Sequence, residues 1–137
     1  MGNRFHLAIP AGDLDKAINF YCEILGCERG NAEFKYPDAW ADINFWGNEL
    51  TLHATEPNKK DISERHNVDM GNVSVPHFGV HLDQEKFNKL KERLIQKKIR
   101  FIDPPYVRFK GEEKEQETMF IEDPNGNCME IKTMKSP

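Results

Sequence analysis

A short alternating stretch occurs twice in this chain, each time running into an amphipathic helix, and that repetition narrows the folds open to it. Phe5-His-Leu-Ala-Ile9 sets Phe5, Leu7 and Ile9 on one side of an extended strand and His6 and Ala8 on the other. Val75-Pro-His-Phe-Gly-Val-His-Leu82 does the same, with Phe78, Val80 and Leu82 opposed to His77, Gly79 and His81. Each stretch is followed by an aspartate suited to cap a helix, Asp13 and then Asp83. Ala17, Ile18, Tyr21 and Leu25 recur at helical spacing after the first, with Gly26 placed for a left-handed cap, and Phe87, Leu90 and Leu94 recur after the second. Aligning Asp15-Lys-Ala with Glu85-Lys-Phe superposes His6 on His77 with one residue of slack, so the chain reads as a repeat.

Three more strands are predicted in each half. They lie near Cys27 to Tyr36, Ala39 to Trp46 and Glu49 to Thr55, and then near Arg100 to Lys110, Gln116 to Glu122 and Asn127 to Thr133. The turn Asp123-Pro-Asn-Gly126 joins the last two as a hairpin. A βαβββ order run twice predicts an α+β fold, with a helix covering one face of each sheet and the other face left for function. Module 1 takes about residues 3–56 and module 2 about 74–134 of a single domain spanning 1–137. The stretch between them, 57–73, is rich in Asn, Lys, Asp, Ser and Glu and too long for a turn, so it reads as a linker or as a lid loop over a site.

The composition excludes several classes of partner. A net charge of −4 argues against sequence-independent nucleic-acid binding, which relies on surplus Lys and Arg. No apolar run approaches the roughly 20 residues of a membrane span, nor does the N-terminus carry the apolar region of a secretory signal, so the expected location is cytoplasmic. Cys22, Cys27 and Cys128 form no C-x-x-C pair and read as small packing residues. The basic residues between Lys86 and Arg100 read as the wet face of a helix.

Strand parity then sorts the polar residues. Opposite the helix-facing set of Phe5, Leu7, Ile9, Leu50, Leu52, Phe78, Val80, Leu82, Met129 and Ile131 lie His6, Glu49, Thr51, His53, His77, His81, Cys128, Glu130 and Lys132. Two histidines and a glutamate on the first and last strands of repeated modules make a two-His-one-carboxylate set with open coordination positions. The candidate metal ligands are His6, His77 and Glu130, a set suited to Fe(II), Mn(II), Ni(II) or Zn(II). His81 lies about 13 Å along the strand from His77, too far to share an ion, and His77 is preferred because it matches His6. His53 is a fourth ligand, a partner that orients one, or a proton carrier. Trp40 and Trp46 share a parity with Asp42 and Asn44 and either line a pocket or pack.

These segments resemble the vicinal-oxygen-chelate superfamily of glyoxalases, bleomycin resistance proteins and extradiol dioxygenases. The resemblance is carried by Phe5-His-Leu-Ala-Ile-Pro10 with Asp13 to Tyr21 and Leu25-Gly26, by Val75 to Val80, and by Phe120-Ile-Glu-Asp-Pro-Asn-Gly-Asn-Cys-Met-Glu-Ile131. The tail from Val107 to Phe120 is similar to small bacterial proteins predicted to be extradiol-type dioxygenases. The resemblance implies a cupped mixed sheet with a divalent metal, Fe(II) favoured, held at His6, His77 and Glu130 on the first, fifth and eighth strands. The implied activity is a dioxygenase acting on a small substrate that chelates the metal through adjacent oxygens. His53 or His81 would transfer protons, Trp40, Trp46, Glu49 and Phe120 would line the substrate pocket, and two chains would pair as a homodimer. Phe120 stands where catechol-cleaving members carry an acid-base tyrosine. Two alternatives follow from the same resemblance: a glyoxalase-like isomerase or lyase using Zn(II) or Ni(II), with Glu49 or His53 near a fourth-strand carboxylate position, and a metal-free binding protein of the bleomycin-resistance type that holds a planar molecule between walls such as Trp40 and Trp46.

Overall fold

Each half of the chain is closed by a parallel pairing of its first strand with its last, which forces the helix and two strands between them to form one crossover. A computed structural model describes residues 2–57, 65–68 and 71–135. Its chain divides into two compact units: Met1–Asp61 with Asp123–Asn127, and Ile62–Glu122 with Cys128–Pro137. The architecture is α+β, as the repeat predicts.

In the first unit, β1 (His6–Gly12), β2 (Glu28–Glu33), β3 (Trp40–Phe45) and β4 (Asn48–Ala54) form a sheet in the order β1-β4-β3-β2. Helix α1 (Leu14–Asn19) starts at Asp13, whose Oδ1 accepts the Lys16 backbone N–H at 3.2 Å. Beneath it Ile9, Ala11, Ala41, Ile43, Phe45, Leu50 and Leu52 are buried, the face that alternation assigns to the core. Phe5 departs from that assignment: it precedes β1 and its side chain is exposed.

Where the spacing predicts one regular helix to Leu25, the chain changes to a π-helical turn over Phe20–Ile24, with the Leu25 N–H reaching the Phe20 carbonyl at 3.0 Å. The consecutive Phe20 and Tyr21 at its start are both buried, at 4% and 0% exposure.

In the second unit, β7 (Phe78–His81), β8 (Asp103–Arg108), β9 (Gln116–Glu122) and β10 (Cys128–Met134) form a sheet in the order β7-β10-β9-β8. Asp83 caps α2 (Gln84–Gln96), accepting the Lys86 N–H at 2.8 Å. Phe87, Leu90 and Leu94 of α2 are buried, as are Met119, Ile121, Met129 and Ile131 on its sheet, and full burial of such side chains contributes about 1.5–3 kcal/mol each. β7 is shorter than the Val75-to-Leu82 strand expected; Pro76 has no N–H for a ladder, and His77 lies just ahead of the strand. The segment read as a linker or lid contains two short antiparallel strands, β5 (Arg65–Val68) and β6 (Gly71–Ser74), while residues 58–64 and 69–70 of it lie outside the described residues. Among the described residues no helix is long and apolar enough to cross a membrane.

The turn 123–127 between β9 and β10 completes the first unit. The buried Asp123 carboxylate accepts the Tyr21 hydroxyl at 2.7 Å and the N–H groups of Asn125 and Asn127 and the Asn127 amide, each at 2.9 Å. The Asn125 and Asn127 amides also donate to the Pro10 carbonyl, at 2.9 and 2.8 Å, where β1 bulges before Gly12. Gly12 has φ +67, and a Cβ there would lie 2.5 Å from Asn125 Oδ1. Burial holds the Asp123 carboxyl above its ordinary value in spite of these bonds, and burial with the adjacent carboxylate holds the Tyr21 hydroxyl well above its own. A raised carboxyl favours the folded state most fully below pH 3.8, and that contribution is lost as pH rises through the folded value. Tyr21→Phe removes one bond to the ionised form, so we expect a loss of about 1.5–3 kcal/mol at neutral pH that shrinks on acidification, read by urea titrations at pH 7 and pH 4.

Candidate functional site

The open face of the first unit carries three cross-strand rows. His6, Glu49, Asn44 and Glu28 lie in register across β1, β4, β3 and β2; Ala8, Thr51 and Asp42 form the next row; Pro10, His53 and Trp40 form the third. Glu49 joins the first row: His6 Nδ1 lies 2.8 Å from its Oε1 and Arg4 Nη2 lies 3.5 Å from its Oε2. A carboxylate placed against Nδ1 is the arrangement that orients a metal-binding histidine, with Nε2 turned away from the carboxylate. Thr51 donates to Asp42 Oδ1 at 2.7 Å in the second row. His53 is exposed between Pro10 and Trp40, about 13 Å along β4 from Glu49.

In the second unit His77 Nε2 lies 3.6 Å from Glu130 Oε1, and both side chains are mostly buried. The Thr118 hydroxyl donates to Glu130 Oε2 at 2.7 Å, and Lys132 Nζ approaches Oε1 at 3.8 Å. Phe120, in register with Glu130, meets the His77 ring nearly at right angles with centroids 5.3 Å apart. Phe120 and Cys128 are both buried on this face, against Ile102, so it is not simply solvated. His81 is exposed, in register with Lys132 and away from the His77 pair.

The structure therefore brings His77 to Glu130 and His6 to Glu49. Within either unit, among the described residues, no three His, Cys, Asp or Glu side chains converge. The His77 and Glu130 pair fits a divalent ion as two adjacent donors: a tetrahedral ion with bonds of about 2.1 Å spaces its donors about 3.4 Å apart. Register also resolves which residue of the first unit corresponds to Glu130. Glu130 is paired with Gly79 and Phe120, and the equivalent place beside Ala8 and Asp42 is held by Thr51, rather than by Glu49 or His53. Trp40 pairs with His53, whereas Trp46 lies beyond the far end of β3 and lines a separate cleft, so the two indoles do not form facing walls of one pocket.

Thr118, Arg4 and Asp42 take part in these networks and were not singled out from the sequence. The signal for Thr118 is parity, two residues before Phe120 on the same face; Arg4 precedes the strand and carries no such signal. Gly79 is required by the close approach of β7 to β10, since a Cβ there would overlap the Glu130 carbonyl oxygen. Gly79→Ala is expected to cost about 1–3 kcal/mol in chemical denaturation through displacement of β7 beside Glu130.

Comparison with known proteins adds the lineage. Residues 4–131 match the family model described as the Glyoxalase/Bleomycin resistance protein/Dioxygenase superfamily. The metallothiol transferase FosB of Lysinibacillus sphaericus is 27% identical over 131 residues, covering 93% of this chain and 79% of the relative. A glyoxalase/bleomycin resistance protein/dioxygenase from Alicyclobacillus acidocaldarius superposes with a TM-score of 0.75 at 35% identity, covering 98% of this chain and 92% of its own. Lactoylglutathione lyase from Agrobacterium tumefaciens shares the fold, with a TM-score of 0.65 at 23% identity over 97% and 94% of the two chains.

Proposed function

Because the chain belongs to the glyoxalase/bleomycin resistance protein/dioxygenase superfamily, we propose that it is an enzyme of the lyase, isomerase or transferase kind acting on a small oxygen-bearing molecule, rather than the dioxygenase expected from its tail. The observation that carries this reading is the wall behind His77. Phe120 fills it with an apolar ring and no hydroxyl, so the acid-base group of ring-cleaving relatives has no counterpart there. The transferase name of the FosB relative supports the same direction.

His6, His77 and Glu130 are the proposed metal ligands. A divalent ion held by them would polarise the substrate's oxygens and lower the pKa of groups bound beside it. The chain's own residues prepare for that role. Thr118 donates to the Glu130 carboxylate and Lys132 approaches it, Phe120 packs edge-on against the His77 imidazole, and the Glu49 carboxylate lies against His6 Nδ1 and leaves Nε2 for an ion. His53 and His81 are exposed imidazoles suited to carry protons to or from a bound substrate.

Metal content after reconstitution, read by mass spectrometry, tests the ligand set. We expect bound Mn, Ni, Zn or Fe in the wild type, none in the His6→Ala, His77→Ala, Glu130→Ala triple variant, and an affinity about 10–100-fold lower in Glu49→Gln. A wild type that binds no more metal than the triple variant would overturn it. The reaction class is tested with the loaded protein under argon and under air, using an epoxide plus a thiol and a hemithioacetal as substrates. Turnover of either that is unchanged without oxygen is expected, and consumption of oxygen with a catechol would restore the dioxygenase reading.

A further inference from the structure

We infer that the cleft at the β3–β4 turn of the first unit binds a small organic cation, an alkylammonium headgroup, with the Trp46 indole as its wall and the Glu28 carboxylate as its counter-charge. The cleft, about 190 Å³, is lined by Gly26, Cys27, Glu28, Asn44, Trp46 and Gly47. That is below the roughly 300 Å³ at which drug-sized ligands begin to fit, and suits a headgroup. It lies three strand spacings, about 14 Å, across the sheet from His6, so it is not the site proposed above.

Three observations converge on a cation. Trp46 stands at φ 48 followed by Gly47 at φ 89, a pair of left-handed residues as in a type I′ turn, where Asn-Gly is the favoured sequence and a bulky ring is strained. Strain of this kind persists where the surroundings hold it, and here Asn44 Oδ1 accepts the Gly47 N–H at 2.8 Å while the Phe45 ring buttresses the indole at 4.9 Å. Glu28 is in register with Asn44 and makes no ion pair with a described residue, its neighbour Arg29 being stacked over Phe34 instead. An indole and a carboxylate lining one cleft, the carboxylate without an ion pair to any described residue, is the pairing that recognises ammonium groups. The remaining ionisable group in the cleft adds no competing charge: burial pushes the Cys27 thiol up to about 12, so it stays neutral.

Saturation-transfer NMR on the methyl protons of choline, at constant ionic strength, tests the assignment, with the neutral isostere 3,3-dimethylbutan-1-ol as the control. We expect saturable millimolar binding of choline and none of the alcohol. Glu28→Gln and Trp46→Asn should each weaken choline binding by about fivefold or more. Trp46→Asn should also raise the melting temperature by about 3–6 °C as the turn relaxes, a change that separates lost binding from lost structure. Glu28 is exposed, so its variant keeps the test open if the turn variant does not fold. Absence of saturable choline binding in the wild type, equal binding of the alcohol, or binding unchanged in both variants would overturn the inference.

Discussion

Parallel pairing between the first and last strand, in chain order, of each four-stranded sheet is the constraint on which the other features rest. Two neighbouring strands that run the same way cannot be joined by a tight turn, so each unit must route a helix and a hairpin between them. The crossover supplies the helix that covers one face. The pairing itself fixes which open-face residues become neighbours: β1 beside β4 sets His6 against Glu49, and β7 beside β10 sets Gly79 against Glu130 with His77 close by. Neither histidine has its carboxylate nearby in sequence. Both acquire one because a strand begins where another ends.

The two units use the same scaffold unequally. In the second, the fourth-strand position is a carboxylate held by a hydroxyl and a lysine and backed by an aromatic ring. The corresponding position in the first is Thr51, which turns to Asp42, while the carboxylate sits one row away on Glu49. Repetition of fold is therefore not matched by repetition of chemistry on the open faces.

Much of this was legible in the residues. Period-two alternation separates Leu50 and Leu52 from Glu49 and His53 because a strand presents alternate faces, and Asp13 and Asp83 announce their helices because their side chains satisfy free N–H groups. The turn at Asp123 was visible for the same local reason. What local pattern does not carry is the identity of distant partners. Tyr21 reads as one more apolar residue on a helical stripe, yet its hydroxyl meets a carboxylate 102 positions later. The π-helical turn over Phe20–Ile24 likewise interrupts an apolar spacing that reads as one continuous helix. The site residues fall between these cases. His77 and Glu130 share a parity and were identified from it, Phe120 stood out only through the family resemblance, and Thr118 becomes meaningful only once β9 is placed beside β10.

The turn at 123–127 has a further consequence for how the protein comes into being. A ribosome releases the N-terminal module long before Asp123, Asn125 and Asn127 are synthesised, and until then the Tyr21 hydroxyl and the Pro10 carbonyl lack the partners they have in the finished fold. The first part of the chain to be made is thus among the last to be completed, and an early stop in translation would leave that module without the residues that make its closing hydrogen bonds.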